Sequence, residues 1–102
     1  MSRAQIADVA SSVSAQEGSV VSKVVFKDER LDVTAFGLDS GEGLTEHTAV
    51  RTATVHVLSG RLCFKVDGVE LDAGPGFWLH MAPGTPHSLS ATEPTVMFLT
   101  LA

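Results

Sequence analysis

The sequence predicts an all-β domain built from short antiparallel strands and closed as a sandwich or a barrel. The first observation is that runs rich in β-branched and aromatic residues follow one another from Ser19 onward, separated by turn residues. The second is their number, about eight or nine, with a turn signal after nearly every run. The third is that this region lacks the apolar period of 3.6 residues that a long helix requires.

The predicted strands can be placed one by one. They span residues 19–27, 31–38, 52–58, 61–66, 69–71, 77–81, 87–91 and 95–101. Residues 61–66 alternate apolar and polar side chains, which is typical of a strand with one buried face. The dipeptide Asp67-Gly68 predicts a two-residue hairpin, because both residues tolerate a positive φ. Gly60 and Gly76 are expected in tight turns that reverse the chain.

The N-terminal segment differs from the rest of the chain. Residues 1–17 are rich in Ser and Ala, and residues 3–9 are predicted to form one or two helical turns. We interpret residues 1–17 as an N-terminal arm and residues 18–102 as one barrel domain. Two possibilities remain open for the arm, which is either loosely attached or packed on a partner subunit.

Length, charge and hydropathy restrict the class of protein. A chain of 102 residues with 44% hydrophobic and 19% charged residues has the size and composition of one globular domain. A net charge of −5, with Lys and Arg scattered along the chain, argues against nucleic acid and anionic membrane as partners. The mean hydropathy of +0.22 is high for so small a domain, and it favours a homodimer that buries apolar surface.

Cysteine usage and targeting signals point to the cytoplasm. Cys63 is the only cysteine, so an internal disulfide is impossible and a reducing compartment is expected. Residues 1–10 contain Asp8 and no apolar run of the length of a signal peptide. No stretch approaches the roughly 18 apolar residues of a membrane span.

Two of the four histidines lie in recognisable frames. In the first frame, Gly41 is followed after five residues by His47, and Gly60 closes the frame. In the second, Gly76 is followed after six residues by the segment 83–87, Pro-Gly-Thr-Pro-His. These residues resemble the two cupin motifs, G-x5-H-x-H-x3-4-E-x6-G and G-x5-P-x-G-x2-H-x3-N, directly over residues 41–91. The resemblance implies a small antiparallel double-stranded β-helix, a jelly-roll-like cupin barrel, in which the histidines of both motifs meet at one mouth.

The chain departs from these motifs at four positions. The second motif histidine falls on Ala49, the glutamate on Ala53, the proline on Ala82 and the asparagine on Ala91. The resemblance therefore supplies only two metal ligands, whereas a catalytic metal usually has at least three from the protein. Replacing a histidine and a glutamate by alanines is expected to leave space inside the barrel, which is the usual setting of a ligand site.

The candidate ligand-binding residues combine histidines with apolar side chains that are predicted to line the barrel: His47, His87, Trp78, His80, Phe36, Phe64 and Met97. His47 and His87 are the candidate metal ligands, and His80 is a third if its side of the strand faces inward. Residues 77–81 are apolar on both faces, so the sequence leaves that orientation open. His56 follows Val55 in the same predicted strand, so its side chain points to the opposite face. It is expected on the outside of the barrel or at a subunit contact.

The function that we predict is binding of a small molecule in the barrel, with weak or absent metal dependence. The alternative is a metal-dependent dioxygenase or isomerase that holds Fe, Mn, Ni or Zn on His47 and His87, with His80 as the third ligand if it faces inward. Metal-free acid–base catalysis by a histidine is a third hypothesis, although the chain has no tyrosine to serve as the acid partner. A dimeric sensor is a fourth, since one barrel fold hosts many functions.

Overall fold

The computed structural model describes residues 3–102 and consists almost entirely of β-strands. A single four-residue helix, α1 (Val9–Ser12), precedes them. The seven strands are β1 (Val20–Lys27), β2 (Asp32–Leu38), β3 (Gly43–His47), β4 (Ala53–Val66), β5 (Val69–Ala73), β6 (Trp78–Met81) and β7 (His87–Leu101). Within the described range, no helix has the length and hydropathy that a membrane crossing requires.

Two long strands, β4 and β7, each run through both sheets of the fold. In one sheet, the first half of β4 pairs with the second half of β7. Beyond them, β6 pairs with β4 on one side, and β2 pairs with β7 on the other side, followed by β1. In the other sheet, the second half of β4 pairs with the first half of β7, β5 pairs with β4, and β3 pairs with β7. Every pairing is antiparallel, so the predicted all-β fold, a double-stranded β-helix, is confirmed.

The strand β4 bends from one sheet into the other at Gly60, which we expected in a chain-reversing turn. That expectation is wrong, because Gly60 lies inside a continuous strand with φ +85°. A Cβ at this position would collide with the carbonyl oxygen of Pro94 and with Thr95 of the neighbouring strand. The pairing of β4 with β7 shifts in register on both sides of Gly60, and register shifts of the β-bulge kind sharpen the bend of a strand.

The core lies between the two sheets and follows the alternation of the strands. In β4 every second residue from Ala53 to Val57 is buried, and the buried set resumes at Leu62 and Phe64 after the bend. Phe64, Leu38 and Met97 are among the largest side chains with almost no exposed surface. Full burial of such a side chain stabilises the fold by about 1.5–3 kcal/mol.

The N-terminal segment packs on the chain's own sheet. Residues 3–8 are not helical, so the helical turns expected there are displaced to α1. The backbone at Ser14 and Ala15 passes so close to Gly37 of β2 that a Cβ on Gly37 would collide with it. Gly18 N donates a hydrogen bond to Asp39 Oδ2 at 2.8 Å. The proposed boundary between an arm and a barrel at residues 17 and 18 stays a prediction, and residues 1–2 of the arm lie outside the described residues.

Candidate functional site

Two histidines face each other where β3 ends and β7 begins. His47 is the last residue of β3, His87 is the first residue of β7, and the two are paired across the strands. Residues that are paired in an antiparallel ladder present their side chains on the same face. The centroids of the two imidazole rings are 4.2 Å apart, with the ring planes inclined at 61°. His87 is buried, with 5% of its surface exposed, whereas His47 is open to solvent.

Both imidazoles are anchored through the same ring nitrogen. His47 Nδ1 donates a hydrogen bond to the carbonyl oxygen of Thr45 at 2.7 Å, and His87 Nδ1 donates to that of Thr85 at 2.9 Å. A carbonyl oxygen can only accept, so Nδ1 carries the proton in both rings. In the neutral form each Nε2 then has a free lone pair, which can accept a hydrogen bond or bind a cation.

The loop before His87 holds that residue in place. Thr85 donates two hydrogen bonds to the carbonyl oxygen of Ala82, from its backbone N at 3.2 Å and from Oγ1 at 2.7 Å. Gly84 N donates to the carbonyl oxygen of Ala49 at 2.8 Å and ties the loop to the segment that follows His47. The prolines at 83 and 86 fix φ at both ends of the loop. The local sequence therefore restricts where the His87 ring can point.

A cavity of about 410 Å³ opens beside the two histidines. Its lining consists of the segment between β3 and β4, His87, and two residues near the end of β7: His47, Thr48, Ala49, Val50, Arg51, Ala53, His87, Leu99 and Leu101. Ala49 and Ala53, which stand where the motif has its second histidine and its glutamate, both line this space. The space that we expected from these two alanines is present.

Arg51 is a lining residue that the sequence reasoning missed. Its Nη1 donates to Asp32 Oδ2 at 2.9 Å, and its Nη2 donates to the carbonyl oxygen of Leu101 at 3.2 Å. The side chain is 32% exposed, so the guanidinium is held by two partners without being sealed off. The available signal was its place inside the first motif, between the two alanines.

Trp78 and His80 lie on the other face of the sheet and do not line this cavity. In the pairing of β4 with β6, Trp78 stands opposite His56 and His80 opposite Thr54. The inward positions of β6 are instead Leu79 and Met81, which pair with the buried residues Val55 and Ala53. The register thus settles the orientation that the sequence left open, and His56 is on the outer face as expected.

The predicted aromatic and methionine residues lie in the core next to the cavity. Phe64 and Met97 are fully buried, and Phe36 packs against the same core cluster. None of the three is among the residues that line the described cavity. Phe64 supports the site from behind, because its ring is nearly parallel to that of His87 with centroids 6.2 Å apart. These residues therefore shape the site without forming its wall.

The donor set at the two histidines does not fit a resident metal held by the protein alone. Among residues 3–102 there is no group of three or more His, Cys, Asp or Glu side chains placed to bind one ion. A catalytic metal typically takes three protein ligands, and two imidazoles bind a divalent ion weakly. His80 does not supply the third ligand, because it is on the outer face of the sheet.

A larger cavity of about 550 Å³ lies elsewhere, between residues 3–9 and the strands β1 and β2. Its lining is mostly aliphatic, and Arg3 is the one charged side chain among the described residues that form it. Among residues 3–102, no histidine, cysteine or carboxylate lines it, so it lacks groups suited to acid–base or metal chemistry in the described part of the chain. We therefore place the candidate site at the smaller cavity, where two imidazoles and a guanidinium converge.

The cupin domain family model matches residues 36–101. A conserved protein of unknown function from Streptococcus pyogenes is 27% identical, with a TM-score of 0.86 over 97% of this chain and 87% of that one. An RmlC-like cupin from Desulfovibrio desulfuricans is 22% identical, with a TM-score of 0.86 over 97% of this chain and 96% of that one. A cupin 2 conserved barrel domain protein from Leptotrichia buccalis is 33% identical, with a TM-score of 0.85 over 91% of this chain and 45% of that one. No curated protein matches the chain. The match over most of the chain shows that this protein belongs to the cupin family.

Proposed function

We propose that this cupin binds a small organic molecule in the cavity beside His47 and His87, with weak or absent metal dependence. The observation that carries the proposal is the pair of Nε2 atoms left free by the two Nδ1–carbonyl hydrogen bonds, next to the space beside Ala49 and Ala53. Neutral imidazoles anchored in this way accept hydrogen bonds from a ligand hydroxyl or N–H group.

The rest of the lining suits the carbon skeleton of such a ligand. Leu99, Leu101 and Val50 provide apolar wall, and the volume of about 410 Å³ is in the range of small-molecule sites. Ligand sites typically combine a mostly apolar lining with a few polar groups that fix orientation. The two imidazoles are such groups, and their backbone anchors limit the freedom lost on binding.

The test uses a neutral aromatic diol, 1-phenyl-1,2-ethanediol, titrated into the protein while the imidazole resonances are followed by NMR. We expect shifts at His47 and His87, and a loss of affinity of about tenfold in His87→Ala, the size of one or two hydrogen bonds. His56→Ala is the matched control, because His56 lies on the outer face and should leave binding unchanged. Equal affinity in the wild type and both variants, or no binding at millimolar diol, would contradict the proposal.

The second candidate function is a metal-dependent enzyme of the dioxygenase or isomerase type. The observation that favours it is again the anchoring of Nδ1 to a carbonyl oxygen, which is how proteins orient metal-binding imidazoles. Elemental analysis after loading with Fe, Mn, Ni or Zn tests it, beside His87→Ala. A near-stoichiometric metal that is lost in the variant favours this candidate, and the absence of retained metal in both proteins rejects it.

We further propose that the protein acts in the cytoplasm as a homodimer joined through the outer face of the sheet that contains β6. Trp78 is 59% exposed there, and its strand neighbour His56 lies against Phe98 with ring centroids 5.0 Å apart. Exposed aromatic surface of this kind is typical of contacts between subunits. Light scattering of Trp78→Ser should show a lower mass than the wild type, whereas Val69→Ser, equally exposed at the β4–β5 hairpin, should not. A monomeric wild type contradicts the proposal.

A further inference from the structure

We propose that the ligand of this cavity is a small hydroxy acid, whose hydroxyl donates a hydrogen bond to Nε2 of one of the two imidazoles and whose carboxylate is bound by Arg51. The inference rests on the proposed function, because it assigns a chemical class to the molecule held beside His47 and His87. It assigns to Arg51 a role in recognition that its position within the motif does not imply.

The guanidinium of Arg51 has hydrogen-bonding capacity left over. It carries five N–H groups, and within residues 3–102 one goes to Asp32 and one to the carbonyl oxygen of Leu101. Three N–H groups are therefore without a protein acceptor in the described part of the chain, on a side chain that lines the cavity. A guanidinium stays charged at any ordinary pH, and its planar fork matches a carboxylate.

Asp32 positions the guanidinium and does not compete for the cavity. It binds Arg51 through Oδ2 alone, while its Oδ1 is buried and has no hydrogen-bond partner among residues 3–102. Asp32 is not among the residues that line the cavity, and none of the described lining residues is acidic. A ligand carboxylate therefore meets the open side of Arg51, with Asp32 behind it.

The polar groups of the cavity recognise two different groups on a ligand, a hydrogen-bond donor and an anionic acceptor. The free Nε2 lone pairs of His47 and His87 each accept one hydrogen bond, and the single O–H of a hydroxyl can donate to one of them, whereas a carboxylate can donate to neither. Arg51 requires an acceptor, and it disfavours an ammonium group in the same space. The chain's net charge of −5 gives no long-range attraction to anions, and salt screens exposed charges beyond about 8 Å. Selection for an acid must therefore come from Arg51 itself.

Two probes of nearly the same shape, one charged and one neutral, test the assignment, namely mandelate and its amide, mandelamide. Both carry the same hydroxyl and the same phenyl ring, and their affinities can be compared by NMR titration of the same protein. We expect mandelate to bind about tenfold more tightly than mandelamide in the wild type, the size of one charge-assisted hydrogen bond. In Arg51→Gln that ratio should fall to about one, whereas Arg51→Lys should keep part of it.

Arg61→Gln is the matched control, because Arg61 forms the same kind of ion pair with Asp72 at a position away from the cavity. If the two probes bind equally to the wild type and both are lost in His87→Ala, the carboxylate assignment is overturned while the proposed function stands. A preference for mandelate that persists unchanged in Arg51→Gln also overturns it. If neither probe binds at millimolar concentration and the diol does not bind either, the inference and the proposed function fail together.

Discussion

His47 and His87 stand directly opposite each other on adjacent strands, and each donates a hydrogen bond from Nδ1–H to the carbonyl oxygen two residues earlier in the chain. The repeated arrangement means that both rings are oriented by their own local backbone. A site of this kind is preorganised for a ligand whose O–H or N–H groups donate hydrogen bonds to the two Nε2 atoms.

Restoring the two missing motif residues should create a metal site. In Ala49→His/Ala53→Glu the new side chains line the same cavity as His47 and His87, which brings the number of potential ligands to four. We expect about one Zn or Ni ion per chain by elemental analysis, and a thermal midpoint that rises when metal is added. Removing both His47 and His87 in this background should abolish both effects. A double variant that folds but retains no metal would show that the cavity geometry is wrong for an ion.

Breaking the Arg51–Asp32 ion pair should cost more stability than breaking the Arg61–Asp72 pair. Arg51→Ala leaves a carboxylate whose Oδ1 is already buried without a partner, and such a loss costs about 1–3 kcal/mol. Arg61 is exposed, and its hydrogen bond to Asp72 raises its pKa further above the working range, so it stays charged at every pH of interest. Arg61→Ala should leave the free energy of unfolding unchanged within error. Urea denaturation of both variants checks the order, and equal losses would contradict it.

Gly60 should be the least replaceable of the glycines with positive φ. Gly60→Ala combines an unfavourable φ of +85° with a collision against Pro94 and Thr95, and we expect a loss of about 3–5 kcal/mol. Gly76→Ala isolates the backbone cost, because φ is +89° there and nothing lies within 4 Å of the added Cβ. That cost is about 1–3 kcal/mol. Thermal unfolding that ranks the two variants equally would mean that β7 shifts to relieve the collision.

Phe64 should link the stability of the core to the shape of the site. Phe64→Ala removes a fully buried ring that lies parallel to His87, and the loss should be about 3–5 kcal/mol. The His87 ring resonances should also broaden or move, because the support behind the imidazole is gone. Val69→Ala, at a position that is 60% exposed, should change the free energy of unfolding by less than about 0.5 kcal/mol. A small effect at Phe64 would indicate that the core closes over the vacated space.

The sequence predicted most strands because their alternation reports directly which face is buried. It missed β3, whose five residues Gly-Leu-Thr-Glu-His contain a single large apolar side chain and pair with β7 alone. It also divided β4 and β7, because Gly60 and Pro94 are ordinarily signals that a strand ends. Here the register shifts at the bend allow both strands to continue into the second sheet.

The sequence predicted the part of the candidate site that lies in the two motifs. It did not predict the part in which the pairing register determines the face on which a side chain lies. His47, His87 and the space beside the alanines follow from motif spacing. The outward direction of Trp78 and His80 does not follow from the motifs, because residues 77–81 carry apolar side chains on both faces of the strand. Only the pairing with β4 shows that Leu79 and Met81 occupy the inner face. Arg51 was missed because its place in the motif between Ala49 and Ala53 was the only signal, and that place does not by itself distinguish a lining arginine from a solvated one.

The place of β7 in the fold has a consequence for how the protein is made. β7 is the last strand of the domain to be synthesised, and yet it pairs with β2, β3 and β4 and lies inside both sheets. While β7 is still in the ribosome, one edge of β2 has no partner strand, and neither sheet has its central strand. Asp32, near the start of the domain, acquires its β7 partner Leu101 only after the whole of β7 has been synthesised. Folding of this domain must therefore wait until β7 has left the ribosome, and until then the nascent chain depends on short exposed edges or on chaperones to avoid pairing with other chains.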